Sequence, residues 1–172
     1  MNAVHHGLAA LEAGLVAYGV IAVFVIVYFE SLGAPLPGES ALIAISALAA
    51  KGDVSIAQAL LAVWAGAVLG DSTGYLIGRL GGRPLLQKHG PRVGLTSDRL
   101  ATMERLFREK GAWIVLSARF VVLLRQLNGV IAGSVSMPWP RFLVANAIGA
   151  ALWTAVWGLG PYLLADIVHR QL

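Results

Sequence analysis

The segment Ser31-Leu-Gly-Ala-Pro-Leu-Pro-Gly-Glu39 interrupts the first apolar run of this chain. Its two prolines and two glycines within nine residues cannot continue a helix. Uncharged sequence flanks this break on both sides, from Ala13 to Phe29 and from Ser40 to Ala50. The second flank has eleven residues, which is too few to cross a bilayer as a helix. The pattern predicts a re-entrant helical hairpin over residues 18–50.

The composition of the whole chain of 172 residues favours lipid as its solvent. Hydrophobic residues make up 58% and charged residues only 13%, whereas soluble globular domains carry roughly 25% charged residues. Cysteine is absent, which excludes disulfides, thiolate metal ligands and cysteine nucleophiles. We therefore expect a single membrane domain over residues 1–172.

Two further runs are long enough for membrane-spanning helices. Asp71 is the only charged residue between Val54 and Gly78, and Phe142 to Ala165 is an uncharged run of 24 residues. These runs predict transmembrane helices over residues 54–78 and 141–166. In the first of them, small residues recur every four positions and predict close packing of another helix. They are Ala62, Gly66, Gly70, Gly74 and Gly78.

The strongly polar part of the chain lies between these runs, over residues 79–110. Its eight basic and three acidic residues give a net charge of +5, which by the positive-inside rule places this loop in the cytoplasm. Ser97 can cap a short helix in which Leu100, Met103 and Phe107 form one apolar stripe. We expect this helix either on the membrane surface or as an ordinary solvated loop helix.

A second interrupted segment follows over residues 111–140, where Arg119 and Arg125 break an otherwise apolar sequence. Trp113 and Trp139 near its two ends suit the same membrane interface. Interrupted apolar segments in corresponding places of two halves predict an inverted repeat with a site near the midplane. The expected fold class is therefore all-α and integral to the membrane, with two opposed re-entrant hairpins packed against transmembrane helices.

Five ionisable residues fall where lipid is expected: Glu30, Glu39, Asp71, Arg119 and Arg125. Each charge at a helix centre costs about 2.5–3.5 kcal/mol, so these residues must pair, be neutralised or face water. Three acids and two arginines allow two ion pairs and leave one carboxylate as a candidate proton carrier. The alternative is an ion-pair lock that only holds the two hairpins together.

The two arginines predict a binding site for an anion. A guanidinium offers a planar fork of donors that matches phosphate or carboxylate, and it stays charged in a poor solvent. Arg119 and Arg125 could both turn toward one anion, with Gln126 and Asn128 as neutral donors beside them. A bound phosphate would replace the carboxylate partners, which could then take up protons.

Four further residues are expected to support this site. The break of the first hairpin is shaped by Pro35, Pro37 and Gly38. Glu39 follows the break, where the positive end of the returning half-helix lowers the cost of a charge, or it is simply an N-terminal acid. Tyr75 lies one turn after Asp71 and could hydrogen-bond that carboxylate or the same ligand.

Three ordered motifs resemble the signatures of the DedA family, which is also called the SNARE-associated or VTT-domain family. The motifs are Glu30-Ser-Leu-Gly-Ala-Pro-Leu-Pro-Gly-Glu39, Gly70-Asp-Ser-Thr-Gly-Tyr-Leu-Ile-Gly-Arg79 and Arg119-Phe-Val-Val-Leu-Leu-Arg125. The resemblance implies a multi-pass protein of the bacterial inner (plasma) membrane with two opposed re-entrant hairpins. It also implies that the essential residues of the family correspond to Glu30, Glu39, Asp71, Arg119 and Arg125. Many members have proline where Val122 stands, which implies a softer break in the second hairpin here.

Bacterial members of this family are linked to recycling of the lipid carrier undecaprenyl phosphate and to proton-dependent tolerance, and eukaryotic members to phospholipid scrambling. The resemblance and the charged residues together predict a lipid transporter that flips a lipid phosphate, undecaprenyl phosphate or a phospholipid, with protons as candidate coupling ions. No metal or catalytic residue is expected, because the membrane segments lack histidine, cysteine and an Asp-rich metal motif. No cofactor is expected, and no nucleic acid, because eight of the thirteen basic residues cluster between Arg79 and Lys110. The alternatives are a proton-driven transporter of a small solute, an intramembrane lipid phosphatase or transferase, and a non-transporting scaffold.

Overall fold

The computed structural model describes residues 18–82, 84 and 97–164, and these ranges contain helices and no strand. The helices are α1 (Tyr18–Leu32), α2 (Gly38–Ala50), α3 (Ile56–Gly82), α4 (Ser97–Ala118), α5 (Val122–Ser134) and α6 (Trp139–Leu164). Two of them, α3 with 27 residues and α6 with 26, are long and apolar enough to cross a membrane. Each contains one π-helical turn toward its C-terminal end, at Gly78–Gly82 and at Ala155–Leu159. The prediction of an all-helical protein is confirmed.

The first break, between α1 and α2, is closed by hydrogen bonds that are typical of a helix ending at glycine. Gly33 has a φ of 118°, and the amides of Gly33 and Ala34 donate to carbonyl oxygens of the preceding turn at 3.0 and 2.9 Å. Pro35 and Pro37 then keep the chain out of the helical conformation until α2 begins at Gly38. The sequence 18–50 is thus a helix, a break and a second helix, while its re-entry from one membrane face stays a prediction.

The second break, between α4 and α5, forms without proline or glycine. It spans Arg119–Val121, and Val121 has an extended backbone with φ −116° and ψ 115°. The amides of Phe120 and Val121 donate to carbonyl oxygens three residues earlier, at 3.1 Å each. The break interrupts the helix completely, although Val122 stands where many family members have proline and a softer break was expected.

The helix α4 begins within the predicted basic loop and runs into the second hairpin without interruption. Residues 97–110 are therefore the first part of a hairpin arm and not a separate short helix. Two apolar residues two turns apart, Phe107 and Val115, pack in one core cluster and explain this continuity. Residue 83 and residues 85–96 of the predicted loop lie outside the described residues, as do residues 165–166 of the last predicted helix.

The elements occur in the same order in both halves of the described chain. In each half a helix, a break and a helix of 13 residues precede a long apolar helix. One core cluster joins α1, α2, α3 and α6, and another joins α3, α4, α5 and α6. The long helices thus tie the two hairpins together, and the inverted relation between the halves stays a prediction.

Glycines of α3 allow α1 to approach until the two backbones are in contact, and the regular spacing of small residues predicted such close packing. A methyl group at Gly66 would lie 2.7 Å from the carbonyl oxygen of Phe24. A methyl group at Gly70 would overlap the carbonyl oxygen of Tyr28, one turn further along α1. Only glycine permits two helix backbones to approach this closely.

The opposite end of α3 meets α5 in the same way, and here both helices contribute glycines. A methyl group at Gly78 would overlap a carbonyl oxygen of α5. Conversely, methyl groups at Gly129 and Gly133 would overlap the carbonyl oxygens of Asp71 and Tyr75. This reciprocal contact sets the position of α3 along α5, and with it the position of Asp71 relative to α5.

We expect Gly129→Ala to lower the free energy of unfolding by about 1–3 kcal/mol, because α3 and α5 must separate to admit the methyl group. The matched control is Gly160→Ala in α6, where an added methyl group would meet no atom within 4 Å. The control should stay within about 0.5 kcal/mol of the wild type. Unfolding of the purified protein in mixed micelles measures both changes, and equal stabilities would contradict the packing described here.

Candidate functional site

The five ionisable residues predicted at membrane depth come together from α1, α2, α3, α5 and the second break. We call Glu30, Glu39, Asp71, Arg119 and Arg125 the charged cluster. Its two groups, one around each arginine, lie close enough for electrostatic interaction between them. Four of the five side chains are at most 5% exposed, and the Glu39 side chain is 36% exposed. The cluster is therefore buried, with one carboxylate accessible.

Arg125 joins the two ends of the first break. Its Nη2 donates to Oε1 of Glu30 at 2.7 Å, and its Nη1 donates to Oε1 of Glu39 at 3.0 Å. The next residue, Gln126, is half-buried, and its carbonyl oxygen would lie 3.6 Å from a methyl group at Gly33. The start of α5 thus rests directly on the break between α1 and α2, so the two broken segments meet at Arg125.

The residues of the first break shape the space around Glu30. A methyl group at Gly38 would overlap the Glu30 carboxylate, so a larger residue where α2 begins would displace the Glu30 side chain from this position. Glu39 lies in the first turn of α2, as predicted, where a negative charge is favoured. Pro35 and Pro37 are exposed and set the direction of the chain through the break.

Arg119 forms the second group. Its Nη2 donates to Oδ2 of Asp71 and to Oδ1 of Asn146 in α6. Asn146 in turn donates from Nδ2 to the carbonyl oxygen of Val68 at 3.3 Å. Asn146 was not predicted from the sequence, because residues 142–165 form an uncharged run and only charged residues stood out there. A buried amide in an apolar span was the signal available, since such a group needs hydrogen-bond partners.

Trp153 of α6 is a second residue that the sequence analysis missed as part of the site. The guanidinium carbon of Arg125 lies 4.6 Å from the centroid of the Trp153 ring, and Trp153 is 1% exposed. The π face stabilises the cation on the side where no carboxylate is available. Spacing along the chain gave no reason to pair residue 153 with residue 125.

Two residues that were predicted to lie in the binding site, Asn128 and Tyr75, hydrogen-bond backbone carbonyl oxygens. The amide of Asn128 donates from Nδ2 to the carbonyl oxygen of Val115 at 3.2 Å, which joins the arms of the second hairpin. The hydroxyl of Tyr75 donates to the carbonyl oxygen of Met137, so Tyr75 does not hydrogen-bond Asp71. Its orientation follows from the core cluster it shares with α4, α5 and α6. Both side chains thus hold the second hairpin in place.

The charged cluster has more carboxylates than guanidinium groups and leaves several polar atoms unpaired. With all groups ionised its net charge is −1. Among the described residues, Oδ1 of Asp71 and the Nε atoms of Arg119 and Arg125 are buried without a hydrogen-bond partner. Each such atom costs about 1–3 kcal/mol, which a proton, a water molecule or a ligand oxygen would recover. In the same part of the chain no group of three or more His, Cys, Asp or Glu side chains could hold a metal ion.

Double-mutant cycles should show which charges are paired. We expect Asp71→Ala and Arg119→Ala to be coupled by about 1–3 kcal/mol in the free energy of unfolding, because each single change leaves a buried charge unpaired. The control cycle combines Arg119→Ala with Asp98→Ala, an exposed acid in the first turn of α4, and these effects should add within about 0.5 kcal/mol. Equal coupling in the two cycles would mean that Arg119 is not held by Asp71.

The contact of Trp153 with Arg125 can be tested by comparing two replacements of the ring. Trp153→Phe keeps a π face and Trp153→Leu removes it, so we expect the leucine variant to be less stable, by up to about 2 kcal/mol. The same pair of replacements in an Arg125→Gln background controls for the cavity that each leaves. If the difference between phenylalanine and leucine is as large without the guanidinium, the cation contributes nothing.

The chain matches the family model described as the VTT domain over residues 36–162. It is 41% identical over 151 residues to an uncharacterized membrane protein of Synechocystis, a match that covers 88% of this chain and 69% of that protein. It is 40% identical over 132 residues to an uncharacterized membrane protein of Mycobacterium bovis, covering 74% and 61% of the two chains. Against the membrane protein YbfM of Bacillus subtilis the identity is 28% over 139 residues, covering 81% and 86%.

No solved structure matches the chain. The aligned segment is less than two thirds of the mycobacterial relative's length. The matched region contains Glu39, Asp71, Arg119 and Arg125, and begins after Glu30. Since the family model covers well over half of the chain, this protein is a membrane protein of the VTT-domain family, also called the DedA family.

Proposed function

We propose that this protein carries a lipid phosphate across the membrane and that Arg119 and Arg125 bind the phosphate group. One observation supports this above the others. Two guanidinium groups are buried beside the breaks of two interrupted helices, and each keeps an Nε donor without a protein partner. Phosphate oxygens are the acceptors that such paired donors match best. Undecaprenyl phosphate and phospholipids both present this group.

The carboxylates of the charged cluster occupy the positions that phosphate oxygens would take. Glu30 and Glu39 together use both terminal nitrogens of Arg125, and Asp71 accepts from Arg119. A phosphate therefore binds by displacing carboxylates, and a carboxylate that takes up a proton loses its charge and releases its guanidinium. Because linkage between two ligands is reciprocal, proton uptake favours phosphate binding and phosphate binding favours proton uptake.

Glu39 is the carboxylate best placed to exchange the proton. It shares Arg125 with Glu30, so the two acids have one cation between them. Its side chain is 36% exposed, whereas that of Asp71 is fully buried. A proton that reaches Glu39 leaves Arg125 paired with Glu30 alone and frees Nη1 for the incoming phosphate.

In this proposal the two breaks form a polar binding site for the phosphate at membrane depth, while the lipid tail stays in the bilayer. Irregular backbone is tolerated there only when protein or a wet cavity covers it. Both breaks meet at the charged cluster, which supplies such cover. In this scheme the substrate is translocated without a covalent step, so no side chain acts as a nucleophile.

The proposal predicts that lysine cannot replace the two arginines in transport. We expect the double variant Arg119→Lys plus Arg125→Lys to flip a fluorescent polyprenyl phosphate at least about tenfold more slowly than the wild type in proteoliposomes. Lysine keeps both positive charges and so preserves folding, but it lacks the planar fork that holds a phosphate in place. Thermal unfolding in detergent verifies that the variant is folded.

The matched control replaces two arginines outside the cluster, Arg79→Lys plus Arg105→Lys, which are both exposed and should leave the rate unchanged. The assay is run with and without a proton gradient, and with a short water-soluble phosphate ester in place of the lipid. Flipping at the wild-type rate by the cluster variant would refute the proposal. Transport of the soluble ester in preference to the lipid would favour a small-solute carrier.

A further inference from the structure

A groove of about 570 Å³ lies between α4 and α6. Its walls are apolar and are formed by Ala112, Trp113, Leu116, Val144, Ala145 and Ile148. Pro140 and Arg141 also line it, and Arg141 is the only charged residue among the described ones that do. We call this the α4/α6 groove. Its volume lies within the range that holds one ligand of moderate size.

The inner wall of the α4/α6 groove adjoins the charged cluster. Ala145 lines the groove, and Gly149 follows it one turn later on the same face of α6. A methyl group at Gly149 would lie 3.4 Å from Cδ of Arg119 and 3.6 Å from Cδ1 of Leu116, another lining residue. A single layer of side chains therefore separates the groove from the Arg119 side chain.

The charged end of the groove carries additional basic residues. Nη1 of Arg141 donates to the carbonyl oxygen of Arg108 at 3.2 Å, which places the start of α6 against α4. A guanidinium has five N–H donors, so this bond leaves most of them for a ligand. Arg108, Lys110 and Arg141 are exposed, as is the acidic Glu109. The apolar groove thus ends at a positively charged rim.

We propose that the α4/α6 groove is the lateral docking site for a lipid with a single polyprenyl chain and a phosphate monoester. The chain lies against Trp113, Leu116 and Ile148, and the phosphate binds Arg141. The assignment of this substrate rests on the function proposed above. A groove with one guanidinium at its end fits one chain and one small anionic headgroup, and both features are complementary to that ligand.

The basic rim also indicates the leaflet from which the lipid is bound. The net charge of +5 over residues 79–110 predicts that this end of α4 faces the cytoplasm. The groove then takes its lipid from, or returns it to, the cytoplasmic leaflet. From Arg141 the phosphate moves inward past Gly149 to reach Arg119.

Photolabelling tests the site directly. The wild type in proteoliposomes is labelled with a polyprenyl phosphate that carries a photoactivatable group in its chain, and the labelled peptides are identified. We expect label on residues 112–116 and 144–148, and at least a tenfold loss of that label in Val144→Trp, which fills the groove. The matched control is Ile21→Trp, an exposed apolar position on α1, which should be labelled like the wild type. Label spread evenly over exposed apolar positions would overturn the proposal.

The headgroup contact has its own test, which does not depend on filling the groove. Arg141→Gln should weaken the apparent Kd for the polyprenyl phosphate at least tenfold and that for the corresponding polyprenol less than twofold. Arg141→Lys should restore binding to within about threefold, because it retains the charge that attracts the phosphate. Equal loss for phosphate and alcohol would show that Arg141 does not bind the headgroup.

The outcomes separate this inference from the proposed function. The double variant Arg119→Lys plus Arg125→Lys should lose flipping and keep its label in the α4/α6 groove. If the wild type is labelled there and does not flip the lipid, the docking site stands and the transport function fails. If Val144→Trp loses the label and flips at the wild-type rate, the transport function stands and lateral docking in this groove fails.

Discussion

The burial of two guanidinium groups away from water is the constraint on which the rest of this structure depends. Removing such a charge from water costs several kcal/mol unless acceptors surround it. Arg125 finds them at both ends of the first break, and Arg119 finds them on α3 and α6. Five helices must therefore stay in register around two side chains. The two breaks bring short segments of the chain to these side chains, and the first break brings the carboxylates of Glu30 and Glu39 to Arg125.

The elements of the fold could be predicted because their signals are local. Proline and glycine at residues 33–38 end one helix and begin another whatever the surroundings of the segment. The length of an apolar run can be counted directly in the sequence and compared with the thickness of a bilayer. The second break was less visible, since phenylalanine and valine at positions 120 and 121 do not forbid a helix. Its position follows from Arg119, which leaves the helical path at the point where it meets Asp71 and Asn146.

The charged residues of the cluster could be predicted from the sequence, and their hydrogen-bond partners could not. Charged residues are conspicuous in an apolar sequence, and the five that were predicted to pair lie together in the structure. Asn128 was predicted as a donor beside the arginines and Tyr75 as a partner of Asp71 or of the same ligand. In the structure they donate to the backbone carbonyl oxygens of Val115 and Met137. Conversely, Asn146 and Trp153 enter the site from α6, far along the chain. Which neutral side chain meets which charge depends on how helices pack, and single-sequence spacing does not contain that information.

The glycine contacts of α3 have a consequence for motion. Where two helix backbones are in direct contact, sliding one helix along the other creates a void or a steric clash. The helices α1, α3 and α5 therefore form one rigid unit, which we call the slab. The helix α6 is different, because Gly149 faces the flexible side chain of Arg119 and Gly158 faces the side chains of Leu60 and Leu42. Rotamer changes can accommodate small shifts there. The slab is therefore the rigid part of the fold, and α6 is held to it by side-chain contacts, which tolerate small shifts that direct backbone contacts do not.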